Sequence, residues 1–584
     1  MFLWIGEIFL IFLGTTALDE FWDKKADKTV FLGEWCTTNV NIKNIKSYEI
    51  MPFLWSKQKA IENAFKECCD AYDEIMPILS IYLNQIHNFS RSDRYWEIII
   101  GDWLWRFIQI IYDRYRCIEE FIKAYSKFDT FVLHKDNYIT PLEYKDLITK
   151  ISSDAYNLQL YSQIFEYLGY KFRTKRYEIG QAYTYTQQNS KIREISYRLL
   201  NVFFAKKPSI VISNGYFSNK FSTLNLAFKS KGKIFFDTFY DSFSVNMDKN
   251  VALREELSEY YDGDNKFIKL LFALFEQNFP LLFLEGFSDM RKVALNSNRK
   301  LAKIYATSNC LYNNYLYKFF VAEHIDKISL INIQHGGNYG IDSCNSGEVY
   351  ERDVCDYFLT WGWTDGQDTL VCSHEKINNK IKSKKNGYVL FVMNDMLKYI
   401  YAMQSIYQSS AIKLAYLPKT LSFFNSIGSI DRFLVRTYPV DSGFKIKQTI
   451  RNTFPNIKLD DHSKTFHCRL KNARLFVSDH MNTTYLETLA MNFPTVIFID
   501  KNYYSFRKPE IIQLLIDAKI LFYDEIEAAH HINSIYDNID DWWLSDEVQK
   551  ARREFCYHYA RTSEDWAREY IKVFNNILEK NARN

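Results

Sequence analysis

Short apolar runs ending in small polar residues recur along this chain, and amphipathic patterns separate them. Residues 328–333 (Ile-Ser-Leu-Ile-Asn-Ile) read as a buried parallel strand, as do 209–212, 387–393, 433–436, 475–478 and 496–499. Helical patterns occupy residues 266–277 and 310–324. Within a longer helical stretch, about 56–126, Trp96, Ile99, Trp103, Phe107, Ile110 and Ile111 recur at three- and four-residue steps, which marks one apolar face. Asp93, Arg94, Arg106, Asp113 and Arg114 surround that face, and solvated or intrahelical ion pairs are the default reading for them. Strand and helix thus alternate, the signature of doubly wound α/β sheets.

Two further strand signals come early. Residues 29–32 run into Gly33-Glu34-Trp35-Cys36, and an apolar run at 8–13 leads into Gly14-Thr15-Thr16-Ala17. Together they suggest the edge of an α/β sheet. Glu7 interrupts the first thirteen residues and no basic segment precedes them, so a buried strand competes there with a signal or membrane anchor. Residues 375–386 carry Lys376, Lys380, Lys382, Lys384 and Lys385, which reads as an exposed linker or, alternatively, a basic patch for anionic lipid or polymer. The chain divides accordingly: an N-terminal Rossmann-like domain, 1–374, with the helical insertion; the linker, 375–386; a second Rossmann-like domain, 387–540; and C-terminal helices, 541–584, packing back on the first domain. The expected fold class is α/β, with two Rossmann-like domains facing across a cleft, where ligands usually bind.

Composition narrows the function. The 584 residues exceed one core, and 47% hydrophobic with 17% aromatic content supplies several. A net charge of +3 argues against a nucleic-acid partner. Ten cysteines are scattered without a C-x-x-C pair or zinc spacing, as expected of free thiols in a reducing, cytoplasmic compartment. No Asp-x-Asp sits at a convincing strand end, so neither a metal nor another cofactor is required.

Candidate chemistry gathers at two strand ends. Gln334-His335-Gly336-Gly337-Asn338-Tyr339-Gly340 follows the strand at 328–333. His335 is available there as a base, while Gly336 and Gly337 let backbone N–H groups approach an anion; an ordinary turn with an edge histidine is the competing reading. In the second domain, Ser478-Asp479-His480-Met481-Asn482-Thr483-Thr484 joins a strand to a helix. Asn482, Thr483 and Thr484 fall where unpaired N–H groups favour an anion, or else are a plain N-cap. Glu487, one turn on, suits ribose hydroxyls, or merely complements the helix dipole. Arg436 at a strand end has the fork geometry to hold a phosphate. Glu34 is a rival base, beside an indole able to raise its pKa.

A histidine loop opposite a nucleotide-type site resembles the two-Rossmann glycosyltransferases of the GT-B kind. Gln334-His335-Gly336 is similar to the histidine-glycine loop of capsule and teichoic-acid transferases, and Ser478-Asp479 through Thr483-Thr484 to Glu487 resembles their nucleotide site. Across almost its whole length the chain looks like a family of transferases from O-antigen and other surface-polysaccharide gene clusters. That resemblance rests on Thr15-Thr16-Ala17-Leu18-Asp19, Phe31-Leu32-Gly33-Glu34-Trp35-Cys36, Arg94-Tyr95-Trp96, Gly101-Asp102-Trp103, the histidine loop, Thr360-Trp361-Gly362-Trp363, Asp541-Trp542-Trp543 and Arg553-Glu554-Phe555-Cys556. One departure matters. Where capsule and teichoic-acid enzymes place a second histidine before a proline, this chain reads Arg436-Thr437-Tyr438-Pro439.

The resemblance implies transfer of a sugar from a nucleotide-activated donor to a surface-glycan or lipid-linked acceptor, with peripheral contact at the inner membrane face as an option. His335 would act as general base or as a hydrogen-bond donor to the donor's anionic group, and the donor would lie on Gly336, Gly337, Arg436, Ser478, Asn482, Thr483, Thr484 and Glu487. A CMP-sugar such as an ulosonic acid is the first expectation for the donor. A CDP-polyol phosphotransferase and a non-catalytic carbohydrate-binding scaffold are the alternatives.

Overall fold

The computed structural model describes residues 11–187, 191–205, 207–215, 217, 220–297, 299 and 301–583. The expected strand or anchor at the extreme N-terminus therefore lies mostly outside the described residues. Three parallel strands open the chain: β1 (Ile11–Gly14), β2 (Lys28–Phe31) and β3 (Tyr48–Ile50), in the order β1-β2-β3. They form a small sheet of their own, not the edge of a larger one. The outer strand, β3, exposes Tyr48 and Glu49, and beyond β1, among the described residues, a bridge joins Phe12 to Asp129.

A helical layer packs against this sheet, with α1 (Gln58–His87), α2 (Asp102–Ala124) and α3 (Asp154–Tyr167). The face of Trp103, Phe107, Ile110 and Ile111 is buried, as its periodicity predicts. The polar residues around it are not all solvated, however, since Asp113 and Arg114 are buried too. Arg114 Nη1 donates to Asp113 Oδ2 at 2.7 Å and to the Ile400 carbonyl at 2.5 Å, while Nε and Nη2 reach Asn157 Oδ1 at 3.1 and 2.7 Å. The Trp55 indole donates to Asp113 Oδ1 at 2.6 Å. A buried charge is tolerated here because its donors are satisfied.

The first Rossmann-like sheet begins only near residue 210. It follows α4 (Lys191–Phe204) and contains β4 (Ile210–Ser213), β5 (Ile234–Phe236), β6 (Ile304–Thr307), β7 (Ser329–Ile333), β8 (Tyr357–Thr360) and β9 (Thr369–Val371). Helix α5 (Lys220–Lys229) links β4 to β5, and α6 (Ser346–Val354) links β7 to β8. The strands are all parallel, in the order β9-β8-β7-β6-β4-β5. The second sheet holds β10 (Tyr388–Val392), β11 (Phe433–Arg436), β12 (Lys458–Leu459), β13 (Ala473–Ser478), β14 (Thr495–Phe498) and β15 (Leu521–Phe522), and α7 (Thr484–Ala490) follows β13. Its order, β12-β11-β10-β13-β14-β15, is that of a dinucleotide-binding sheet.

Each sheet reverses its winding once, between β4 and β6 and between β10 and β13, and ligands favour the carboxyl ends of strands at such points. An asparagine pair closes both: Asn214 with Asn309 in the first domain, and Asn482 Nδ2 donating to Asn394 Oδ1 at 3.0 Å in the second.

The terminal helix α8 (Trp566–Arg583) crosses to the first domain, where Ala567, Tyr570, Phe574 and Ile577 pack with Leu226, Ile210 and Ile304. Ile539–Trp543 and Asp546–Tyr559 stay in the second domain's core through Trp543, Val548, Phe555 and Tyr559, so the crossing starts later than residue 541. Residues 375–386 also depart from a plain linker. Lys380, Lys382, Lys384 and Lys385 are exposed, but Ile377 and Ile381 are buried, and the turn Glu375–Ile377 packs against α7. Two apolar anchors suffice to draw a lysine-rich segment into a seam. Among the described residues, no helix is long and apolar enough to cross a membrane.

After β10 the chain dips into the helical layer. Tyr399, Ile400 and Met403 join the N-terminal core, the Met403 N–H donates to Gln109 Oε1 at 2.7 Å, and Lys398 pairs with Asp154 at 2.8 Å. Arg114→Met would leave Asp113 buried without its counter-charge and should cost about 3–5 kcal/mol. The expected result is earlier unfolding in urea, with part of the loss recovered in Asp113→Leu/Arg114→Met.

Candidate active site

Strand β7 is buried at every position and delivers Gln334 and His335 to its carboxyl end. Gln334 fixes the loop from inside. Its Oε1 accepts the Trp361 N–H at 2.8 Å and the Trp363 indole N–H at 2.9 Å, and its Nε2 donates to the Gly336 carbonyl at 2.9 Å. The loop closes at Gly340, whose φ of +73° and contact with the Trp363 ring (2.4 Å from a hypothetical Cβ) leave room only for glycine.

The His335 side chain retains 21% exposure, and its Nε2 lies 3.3 Å from both Tyr339 Oη and Glu351 Oε1. Burial, with Lys376 and His374 nearby, pushes its pKa down to about 3, so the imidazole is neutral. Glu351, on α6, is completely buried beneath it. The Tyr312 and Tyr339 hydroxyls donate to Glu351 Oε1 at 2.5 and 2.8 Å, and Asn332 Nδ2 bonds the other oxygen. Burial nonetheless outweighs these donors and pushes the Glu351 pKa up to about 8. The pair is therefore poised between neutral partners and an imidazole backed by a carboxylate.

Gly337 is where the domains meet. A Cβ there would sit 2.0 Å from the Asn482 carbonyl oxygen and 2.7 Å from Thr483 Cα. Its N–H donates to Thr483 Oγ1 at 3.1 Å, and its carbonyl accepts from Tyr485 Oη at 3.4 Å. The glycine pair was expected to offer N–H groups to an anion, but Gly337 spends its own on the second domain. Gly336 lies against Tyr339, 2.9 Å from a hypothetical Cβ.

Beside this contact, Lys376 Nζ lies 3.5 Å from Glu487 Oε1 and His467 Nε2 lies 2.8 Å from Glu487 Oε2. His374 is held neutral, its pKa pushed down to about 4 by burial; its Nε2 meets the Gly215 carbonyl at 3.2 Å and its Nδ1 accepts the Lys376 N–H at 3.1 Å. Thus His335, Gly336, Gly337, Asn482, Thr483, Thr484 and Glu487 share one region. Sequence reasoning missed Glu351, Lys376 and His467 there. Glu348 and Glu351, three apart on a helix just after the loop, were a usable signal, whereas Lys376 was hidden in a run of lysines.

The other expected residues fall elsewhere. Arg436 ends β11, which β10 separates from β13, so it lies about two strand spacings (~10 Å) from Ser478. Its Nη1 pairs with Asp460, which Arg469 also contacts at 2.7 Å, and donates to the Lys464 carbonyl at 3.2 Å. Instead of standing open to a phosphate, Arg436 is committed to a buried carboxylate. The Ser478 hydroxyl turns inward and donates to the His480 carbonyl at 2.7 Å. Glu34 follows β2 and bonds Lys413 Nζ at 2.6 Å, and no described contact joins it to His335. Among the described residues no group of three or more His, Cys, Asp or Glu side chains is placed to hold a metal ion.

Gly337→Ala should force the loop and α7 apart at a cost of about 1–3 kcal/mol. The expected readout is a lower melting temperature, with Gly180→Ala, where nothing lies within 4 Å of the added carbon, unchanged.

A model of the family described as LIC12162 family transferase matches residues 11–574. No curated protein matches the chain. Among solved structures, MurG of Acinetobacter baumannii is similar at 9% identity and a TM-score of 0.32, over 63% of this chain and 100% of its own. A protein assigned as a UDP-N-acetylglucosamine 2-epimerase from Listeria monocytogenes is similar at 9% identity and a TM-score of 0.38, over 64% and 97%. The spinosyn rhamnosyltransferase SpnG, complexed with spinosyn aglycone, gives 7% identity and a TM-score of 0.29, over 65% and 96%.

Proposed function

Because the chain belongs to the LIC12162 family of transferases, we propose that it moves a glycosyl group from a nucleotide-activated donor to a hydroxyl of a glycan or lipid-linked acceptor. The observation that carries this reading is the juxtaposition of a neutral His335, backed by the buried Glu351 carboxyl, with Lys376 and the Thr483–Glu487 segment of the facing domain. A base and a cation on opposite sides of a domain seam suit a reaction that removes a proton at one end and releases an anion at the other.

In this mechanism the acceptor oxygen bonds to the anomeric carbon as the bond from that carbon to the donor phosphate oxygen breaks. The hydroxyl proton passes to His335. Glu351, in contact with His335 Nε2, stabilises the imidazolium that forms, as a positioning residue. The electron pair leaves on the nucleotide phosphate, whose charge Lys376 offsets. Thr483, Thr484 and Glu487 remain the residues of choice for the nucleotide, with His467 beside them. Arg436 and Ser478 are withdrawn from that role by their present partners, and Glu34 is the weaker base because Lys413 already holds it. The donor is proposed to be a CMP-sugar acting in surface-polysaccharide assembly.

Thermal stabilisation against a nucleotide panel tests this reading, because a ligand specific for the folded state raises the melting temperature. CMP should stabilise the protein, and Lys376→Ala should reduce the effect. A shift with UDP alone sinks the cytidine choice, CDP alone favours polyol phosphate transfer, and no shift with any nucleotide overturns the transfer reading.

The Glu351 pKa also sets a pH dependence. Its raised value leaves the carboxyl protonated below about 8, and ionisation above that value is what supports a charged imidazole. The rate at saturating donor should therefore rise as pH passes through about 8. Glu351→Gln should flatten that limb while leaving nucleotide-induced stabilisation intact.

A further inference from the structure

A cavity of about 410 Å³ lies in the second domain at the carboxyl ends of β10 and β11. Asp395 lines it from the end of β10, and Thr437, Tyr438 and Pro439 line it from the end of β11. The helix Ile446–Thr453 closes it with its first turn and with Arg451 and Asn452. Thr437 and Asp395 are 4% and 7% exposed, and Thr437 Oγ1 and Asp395 Oδ1 find no hydrogen-bond partner among the described residues. The other Asp395 oxygen accepts the Ser442 N–H at 2.9 Å. Burial, with Asp441 nearby, pushes the Asp395 pKa up to about 6, as befits a carboxyl short of donors. Buried polar atoms left unpaired cost stability, and a ligand that pairs both would recover that cost.

The helix supplies the complementary groups. Lys447 and Arg451 stand one turn apart, both exposed, and among the described residues neither is paired with a carboxylate. Gln448 and Asn452, also exposed, run beside them at the same spacing. The N-cap residue, Lys445, offers no side-chain acceptor to the first turn. Tyr438, 51% exposed, adds an aromatic ring. This set of groups sorts ligands by chemistry. A bare inorganic anion would suit Lys447 and Arg451 but would also meet the Asp395 carboxyl. A neutral sugar would pair Thr437 and Asp395 through its hydroxyls and leave both cations unused. A sugar that bears an acid group satisfies all four, with its apolar ring face on Tyr438. The remaining carboxylate, Asp441, is spent on the Gly443 and Lys445 N–H groups at 2.7 and 3.1 Å.

We propose that this cavity is a binding subsite for an acidic saccharide, one that carries a carboxylate or a phosphate. Lys447 and Arg451 hold the acid group, and ring hydroxyls pair with Thr437 Oγ1 and Asp395 Oδ1. The subsite adjoins the domain seam. Asn394, immediately before Asp395, accepts from Asn482 Nδ2, and the Gly443 carbonyl accepts from Asn39 Nδ2 of the N-terminal region at 2.5 Å. It is separate from the Thr483–Glu487 segment, which follows β13 on the other side of β10. The binding claim goes beyond the transfer reading and does not depend on it, since its test needs neither a nucleotide donor nor turnover.

Saturation-transfer difference NMR on the full chain, with glucuronate, glucose 6-phosphate and glucose as probes, tests the assignment. At least one of the two acidic sugars should bind roughly fivefold or more tightly than glucose, and the stronger of them names the acid group. Lys447→Ala/Arg451→Ala, at exposed positions, should lower that affinity about tenfold with an unchanged melting temperature. Thr437→Val removes a hydroxyl that has no partner within the fold, so the melting temperature should hold or rise while binding falls. A merely structural threonine would give the opposite pattern. Binding of neither acidic sugar, glucose binding as tightly, or full affinity in either variant would overturn the inference. So would equal competition by inorganic phosphate, which marks a simple anion site, or by CMP, which returns the cavity to the nucleotide.

Discussion

The site depends on one close approach of backbone to backbone. Gly337 admits the Asn482 carbonyl to a distance no side chain would allow, and its N–H finds Thr483 there. Everything chemical follows from that contact. It brings the end of β7 to the start of α7, sets His335 beside the seam, and leaves Lys376 to fill the charge opposite Glu487. The asparagine pairs at the two switch points then hold each sheet's carboxyl edge in shape behind the contact.

Electrostatically, the seam is unusual for what it keeps neutral. His335 and His374 are both stripped of charge by burial, and Lys376 near them acts in the same direction. Neighbouring imidazolium and ammonium groups would repel, and burial removes that conflict by leaving lysine as the cation. Glu351 responds in the opposite direction to the same desolvation, which is why three donated hydrogen bonds do not keep it an ordinary carboxylate.

Much of this was legible in the sequence, and the failures are instructive. Strands buried on both faces announce themselves as apolar runs, so β7, β10, β11, β13 and β14 were found close to their bounds. The histidine loop and the Asn482–Thr484 junction stand out in the sequence because each places glycines or small polar residues directly after an apolar strand, although turns and N-caps use the same residues. Partnership was not legible. Arg436 looked available because Asp460, which claims it, lies 24 residues away and belongs to another strand end. Arg114 looked solvated because its partners Asn157 and Ile400 come from distant segments. Strands β1 to β3 read as a sheet edge because pairing between strands leaves no trace in a single strand's pattern. Lys376 was averaged into its lysine-rich surroundings, although Ile377 next to it was the clue to burial.

The segment following β10 carries a consequence for how the molecule is put together. Tyr399, Ile400 and Met403 are spoken for by the N-terminal core, and the Arg114 guanidinium cannot be satisfied without the Ile400 carbonyl. In the other direction, α8 completes the first sheet from the far end of the chain. Each half thus finishes the interior of the other. The two Rossmann-like units are not modules that recombination could exchange one at a time; what is inherited, and what must be synthesised before the first half is complete, is the whole span.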